Sequence, residues 1–502
     1  MKATFTRQTL SSTLIVLYLF LAGFFWYYWY PISHTRDLSL PKDYTNQLNS
    51  PEKFDPSDES IDLPSSSSIL DFWQDMAVAL EKARPNASVI DPGDEHVSHN
   101  YTNFEWVNAK ETPRLEQYNI SDVDERELRA AHRIMQEEAR MIATRLPYQK
   151  GSRGIVMTAS KKLLPMVLVS IRMVRRSHTS LPIQVWLDST DDYNKMVCDE
   201  LLPQFEASCR FVGDVYSAAN VAAPLHRYAY KIFAMLFSSF EHVIFVDADA
   251  FPIHDIEPLF HSAPYTSHGL VLWPDYWAIT SSAHFYHIAG IPEVPITSRR
   301  STESGIVMLD KGKHAATLMM VAYYNYYGPE YYYALLSQHA AGAGDKETFI
   351  PAALVMDMPF YQVKSGVQTA GYWRDDKFHG AAILQHDPQV DFKAVKAHFS
   401  HLDANMKEYS SAKKLLFVHQ NGLKLDVANM FKKGERMMGE DKTKWQRPWG
   451  EKLVKEFGRD VERELYESVQ LEACRMSEEL CGKATQFFNH VFNRSGGDFG
   501  EI

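Results

Sequence analysis

Two aspartates, Asp247 and Asp249, stand one residue apart where the apolar run HVIFVDADA (242–250) ends. Alternate residues of an extended chain project to the same side, so both carboxylates leave the strand together. Two acids converging there repel each other unless a cation sits between them. A hard divalent ion with oxygen ligands answers that need, and such an ion bridges the phosphates of a nucleotide. Capping aspartates after strands are common, but here the apolar strand, the D-x-D and the turn at Pro252 coincide. Further along, Asp275 lies within Trp273-Pro-Asp-Tyr-Trp277, a carboxylate flanked by flat rings that suit a sugar's hydroxyls and apolar face. Trp273, Tyr276 and Trp277 are therefore expected against substrate. Glu303 precedes Ser304-Gly305, an acid beside a close backbone approach, and Asp345-Lys346 is a charged pair after a Gly-Ala-Gly turn. One such acid can stabilise an oxocarbenium-like state and another can orient an acceptor hydroxyl, with Glu303, Asp345 and Asp275 as the candidates.

These side chains need a scaffold, and the pattern after Gly154 supplies one. Apolar runs at 154–160, 181–187, 209–215 and 242–250 read as strands. Helical patterns at 163–178, 193–205 and 228–240 separate them. Such alternation implies right-handed crossovers and a mostly parallel sheet, in which ligands bind beyond the carboxyl ends of the strands. A D-x-D after an apolar strand serves two enzyme classes. In phosphatases of the haloacid dehalogenase type the first aspartate is a nucleophile and its strand opens the domain. In nucleotide-sugar glycosyltransferases of the GT-A fold, earlier strands first build the nucleotide pocket. Here about ninety residues of strand–helix pattern precede Asp247, which favours the second class.

The remainder of the chain bounds the setting. Among 502 residues, 52 Lys plus Arg face 63 Asp plus Glu, a net charge of −11 that lacks the basic excess of a phosphate-backbone binder, so no nucleic-acid partner is expected. With 45% hydrophobic and 23% charged residues the composition is that of a folded protein. Four cysteines form no zinc pattern, but Cys198/Cys209 and Cys474/Cys481 are local pairs that an oxidising compartment could close. Thr13–Tyr30 holds eighteen residues without a charge, enough for roughly 27 Å of helix and hence a membrane span. Lys2 and Arg7 precede it, which predicts a cytosolic N-terminus. Bulky aromatics end the run where a cleavage site would need small residues, so an uncleaved anchor is expected. Sequons at Asn86, Asn100, Asn119 and Asn493 agree with a lumenal body. The expected division is a cytosolic tail (1–12), an anchor (13–30), a stem with helices (31–147), a GT-A-like catalytic domain (148–432) and a charged helical extension (433–502). Aromatic residues concentrate in three places: nine in 13–30, six in 265–286 and seven in 323–333. The Tyr-rich third patch reads as helix packing, and the Trp patch as the better sugar platform.

Several segments resemble the fungal Golgi α-mannosyltransferases that build mannan, the α-1,2 branch more than the α-1,3 branch. They include RGIVMTAS (153–160), YKIFAMLFSSFEHVIFVDADAFPIHD (230–255), GLVLWPDYW (269–277), ESGIVMLDK (303–311), GDKETF (344–349) and FVHQNGLKLD (417–426). The similarity covers roughly 150–430. It implies a GT-A-like, Rossmann-type α/β fold and a single-pass type II Golgi membrane enzyme. Such an enzyme moves mannose from GDP-mannose, with retention and assisted by Mn²⁺, to a mannosylated glycan acceptor. Assembly with other Golgi mannosyltransferases is a further expectation. Asp247 and Asp249 match the family's metal-binding D-x-D, with Asp249 the direct ligand, and His419 is a further candidate ligand of the metal or diphosphate. Lys346 and Thr158 are expected at substrate, although Thr158-Ala159-Ser160 departs from a more glycine-rich family loop. Gly305-Ile306 likewise stands where a Gly-Gln pair is common in the family.

Overall fold

The alternating runs build one seven-stranded sheet in a computed structural model that describes residues 66–90, 103–108, 112–219, 224–399, 414–431 and 445–493. Before the sheet come helices α1 (Ser66–Lys82) and α2 (Asp122–Ile142). There follow β1 (Gln149–Ala159), α3 (Leu164–Arg176), β2 (Ile183–Leu187), β3 (Ala207–Phe211), α4 (Ala229–Phe237), β4 (Phe240–Val246) and the short β5 (Ala250–Pro252). Then come β6 (Leu270–Ala278), α5 (Ala283–Ala289), β7 (Arg300–Asp310), α6 (Lys311–Tyr326), β8 (Tyr361–Gln362), β9 (Gln368–Arg374), β10 (Lys377–His386) and β11 (Leu415–His419). The last two helices are α7 (Val461–Met476) and α8 (Glu478–Phe492).

The sheet order is β3-β2-β1-β4-β7-β6-β8. The first four strands are mutually parallel, as expected of a GT-A-like α/β sheet, whereas β7 runs against both β4 and β6. That reversal decides where chemistry can happen. The beginning of β7 lies beside the end of β4, with Val246 opposite Ile306 and the Asp247 N–H donating to Gly305 O at 2.8 Å. The end of β6 lies there too, with Trp273 opposite Glu303. One edge of the sheet therefore gathers residues from segments far apart in sequence.

Side chains alternate along the central strands into two cores. Ile244 and Val246 face one, Val243 and Phe245 the other, and all four are fully buried. Each such side chain contributes about 1.5–3 kcal/mol relative to exposure, which fixes the register of the strand and hence the aim of the aspartates after it. Helix α7 packs on α3 across the first core, where Arg172 binds the fully buried Glu472 at 3.0 Å. The Tyr run packs as expected: Tyr323 and Tyr324 of α6 and Tyr332 of the turn after it are fully buried, and the Tyr323 hydroxyl donates to Ala83 O at 3.1 Å. Trp73 of α1 is buried against Phe233 and Phe237, so α1 docks onto the sheet domain. Both local cysteine pairs, Cys198–Cys209 and Cys474–Cys481, are closed as disulfides.

Two expectations change here. Residues 209–215 do not continue as a strand: β3 ends at Phe211 and a helical turn, Val212–Tyr216, follows. The single-pass type II Golgi placement is corrected as well. No helix among the described residues is long and apolar enough to cross a membrane. The longest, α2, carries a mixed charged face that no bilayer core accepts. Thr13–Tyr30, on which the anchor rests, lies outside the described residues.

Lys311, at the start of α6, is fully buried and donates to Leu236 O and Ser238 O at 2.9 and 2.7 Å. Burial pushes its ammonium down to about 7. Above that pH the unfolded chain holds a proton that the folded chain has released, so the cost of the buried charge is present below pH 7 and relieved as pH rises. Relative to a Lys311→Met variant, the protein should therefore gain stability from pH 7 to pH 9, by up to about 1.4 kcal/mol per pH unit. Urea unfolding of both proteins at each pH measures the difference. A difference that stays flat or falls over that range contradicts the assignment.

Candidate active site

The D-x-D loop leaves β4 and re-enters structure as β5, which belongs to a second, antiparallel sheet of order β5-β11-β10-β9. Its pairing sets Ala250 opposite His419 and Phe251 opposite Val418. Residues 167 or more positions apart are thus held side by side, and His419 is delivered to the aspartates. Its Nε2 lies 3.1 Å from Asp249 Oδ1, and its Nδ1 lies 3.3 Å from Glu303 Oε1. Asp247, Asp249 and His419 each offer a ligand atom within 4.8 Å of the others, a group able to hold a metal ion.

Glycine at 305 makes this packing possible. A Cβ there would stand 2.7 Å from His419 Cε1 and Nδ1 and 3.1 Å from Asp247 Oδ2. The Gly305 N–H also donates to Glu303 Oε1 at 2.9 Å, while Oε2 of that buried carboxylate has no hydrogen-bond partner. An orphaned carboxylate oxygen is costly unless something else occupies it, which makes Glu303 a marker of a ligand site.

Three lysines complete the cluster. Lys231, on the apolar helix α4, lies 3.3 Å from both Asp247 Oδ1 and Asp345 Oδ2 and donates to Ser304 O at 3.2 Å. Lys424 pairs with Asp249, and Lys346 with the buried Asp275. The expected acids Asp247, Asp249, Asp275, Glu303 and Asp345 are therefore brought together with Lys346 and His419. Lys231 and Lys424 escaped the sequence reading. Lys231 carries a usable signal, a single cation in the otherwise uncharged AYKIFAMLF that packs directly under β4. Lys424 has none beyond lying five residues after His419.

The similarity to known proteins falls on this region. Residues 152–300 and 296–387 match the family described as "Mannosyltransferase putative". Over 152–387 the chain is similar to the mannosyltransferases of this family. Among curated proteins, it is 33% identical to alpha-1,2-mannosyltransferase MNN2 of Saccharomyces cerevisiae over 58% of this chain and 54% of that protein. It is 36% identical to alpha-1,2-mannosyltransferase MNN24 of Candida albicans over 49% of this chain and 39% of that protein. With alpha-1,2-mannosyltransferase MNN21 of Candida albicans, identity is 27% over 80% and 70%. The chain spans about half the length of several of the curated relatives it matches. Solved glycosyltransferases are more distant. The galactosyltransferase LgtC in complex with donor and acceptor sugar analogs gives a TM-score of 0.29 at 14% identity, over 42% of this chain and 74% of that one. Core-mannan synthase A of Aspergillus fumigatus, in a Mn/GDP form, gives 0.27 at 8%, over 43% and 73%. At such scores no residue-by-residue correspondence follows.

The charges within this cluster act strongly on one another. Burial would raise Glu303 and lower His419, but their mutual attraction, with Asp249 acting on the imidazole, outweighs it. Glu303 is held down to about 2 and His419 is pushed up to about 10. Asp249 stays well below the ordinary carboxylate range because Lys424 and His419 overcome its burial. Asp247 is raised, since for it burial outweighs the pull of Lys231 and His419. The two aspartates of one D-x-D thus differ: Asp249 is the firmly ionised one.

The aromatic platform needs correction. Trp273 is fully buried in the first core, edge-on to Phe417, with its indole N–H donating to His386 O at 2.8 Å. Its ring is a core element and offers no face to a sugar, because position 273 points inward where β6 meets β7. Trp273→Ala should cost about 3–5 kcal/mol of stability in urea unfolding, as truncation of a buried aromatic does. A loss within 1 kcal/mol would contradict this placement. Tyr276 and Trp277 are half-buried at the same edge, and the Tyr276 hydroxyl meets Thr369 Oγ1 on β9. Thr158 lies half-buried at the end of β1, opposite Trp186. Asn86, Asn119 and Asn493 are exposed, and Asn100 lies outside the described residues.

Proposed function

We propose that this protein transfers mannose from GDP-mannose, with retention, to mannose residues of glycoprotein or cell-wall mannan glycans, forming α-1,2 linkages. The observation that carries the reading is the convergence of Asp247, Asp249, His419 and the orphaned Glu303 at one sheet edge in a domain similar to that mannosyltransferase family. The chemistry of two carboxylates and an imidazole suits Mn²⁺, and the lack of a side chain at Gly305 lets His419 and Asp247 come together. Asp247, Asp249 and His419 would hold the ion, and when bound it neutralises the diphosphate leaving group as a Lewis acid.

The chain's own residues supply the rest. Lys231 and Lys424 place ammonium groups beside the D-x-D, where a diphosphate's charge would fall. Glu303 is ionised at any working pH and shielded from water, so it can stabilise positive charge developing on the sugar. Asp275, tethered to Lys346, and the half-buried Tyr276 and Trp277 form the rim at which the acceptor mannoside is expected.

The test is GDP release from GDP-mannose by the purified protein with Mn²⁺, with and without a defined mannoside. Release that requires the mannoside, followed by removal of the new mannose with an α-1,2-specific mannosidase, is the expected result. Phosphate release without an acceptor, or a product open only to an α-1,3-specific enzyme, overturns the reaction or the linkage respectively.

A further inference from the structure

Away from the carboxylate cluster, α5 presents two histidines to the first turn of α2. His284 and His287 are three residues apart, a spacing that puts both rings on one side of a helix. Glu125 faces them: its Oε2 lies 2.5 Å from His284 Nδ1 and its Oε1 3.9 Å from His287 Nδ1. One ligand atom from each of the three residues lies within 4.8 Å of the other two. The second nitrogen of His287, Nε2, stands 3.9 Å from Glu293 Oε1, and Glu293 is paired with Arg114 at 3.2 Å.

We propose that Glu125, His284 and His287 form a binding site for a borderline divalent ion of the Zn²⁺ class, which clamps α2 to α5. Two imidazoles and one carboxylate are a donor set that Zn²⁺ takes readily, whereas Mg²⁺ and Ca²⁺ favour all-oxygen surroundings. Bonds of about 2.0–2.1 Å in a tetrahedron set ligand atoms roughly 3.3 Å apart. The separations here bracket that value, so rotation of exposed side chains closes the site without moving either helix. A simple hydrogen bond to Glu125 accounts for His284 alone. It leaves unexplained why His287 aims one nitrogen at the same carboxylate and the other at Glu293. At 3.9 Å that second approach is longer than a hydrogen bond, but a small turn of the half-exposed ring brings Glu293 onto its far nitrogen, where a carboxylate fixes the tautomer of a metal-bound imidazole and raises its basicity. His287 is 53% exposed and Glu125 25%, which leaves the fourth position open to water. The clamp would join α2, just ahead of β1, to α5, which leads into β7 and Glu303. The inference does not depend on the proposed sugar transfer.

Zn²⁺ titration of the full protein without a histidine tag, in competition with a chromophoric chelator, tests the site. An Asp249→Ala background removes the D-x-D cluster as a competing site. One tightly held Zn²⁺ per chain should persist there. Adding His287→Ala should weaken it by on the order of 100-fold, and Glu293→Gln by roughly 10–100-fold. Zn²⁺ should raise the melting temperature of the parent and leave the His287→Ala protein unmoved. His287 is half-exposed, so its truncation spares the fold, and Glu125→Gln provides a second variant of unchanged shape. Zn²⁺ affinity unaltered by His287→Ala, or lost with Asp249→Ala alone, overturns the proposal.

Discussion

Asp249→Ala should lower the proposed mannosyl transfer by at least about a thousandfold while the protein still folds. The carboxylate is 5% exposed and fixed on both oxygens, by His419 at 3.1 Å on Oδ1 and by Lys424 on Oδ2. Its removal takes away the one acid of the D-x-D that stays firmly ionised, and with it the anchor of a bound divalent ion. Metal-assisted charge stabilisation is worth several kcal/mol, and each 1.4 kcal/mol is tenfold in rate, so about 4 kcal/mol gives the expected factor. The fold survives because its supports lie elsewhere. The backbone bond from Gln420 N to Asp249 O is untouched, the Lys424 side chain is 56% exposed and returns to water, and His419 keeps Glu303. Asp249→Asn retains shape and should lose nearly as much, since a neutral amide is a poor ligand. Initial rates across a Mn²⁺ titration, alongside melting curves, provide the measurement. An Asp249→Ala protein with wild-type turnover would remove Asp249 from the metal-binding assignment.

The sequence made Asp249 legible and left most of its surroundings dark, for one physical reason. Period-two alternation and apolar runs are local signals, and β1, β2, β4, α3 and α4 all lie close to where those signals put them. The acids were found because carboxylates stand out beside apolar runs and tight turns. Pairings between distant segments leave no such mark. Nothing in FVHQNGLKLD says that Val418 lies opposite Phe251, yet that register is what brings His419 and Lys424 to the D-x-D. The reversal of β7 was equally silent, although it turns Glu303-Ser304-Gly305 from a strand opening into one wall of the site. Trp273 misled for the opposite reason. Its composition suited a sugar platform, but burial is a property of the whole sheet, and packing against Phe417 with the indole N–H bound to His386 O holds the ring in the core. Lys231 shows the intermediate case: a lone cation on a buried helix is conspicuous, but only the end of β4 shows what it serves.

Gly305→Ala should reduce turnover by on the order of 100-fold with little change in melting temperature. The backbone at 305 is not in the left-handed region, so an alanine is tolerated conformationally and its effect is steric. The added methyl would stand 2.7 Å from the His419 ring, a separation that side-chain carbons do not sustain, and 3.1 Å from Asp247 Oδ2. The ring, 9% exposed and pinned between Asp249 and Glu303, must rotate and surrender one of those contacts. Displacements of this size at a catalytic centre cost about 10²-fold in rate, whereas overpacking a core costs about 1–3 kcal/mol, less when a side chain can yield. His419→Ala should lose a similar factor. If the methyl acts through the imidazole, the double variant Gly305→Ala/His419→Ala should be no slower than His419→Ala alone, because the group it displaces has gone. Fully additive losses would place the effect on Asp247 instead, and an unimpaired Gly305→Ala protein would show that the close approach of β7 to the D-x-D has no part in turnover.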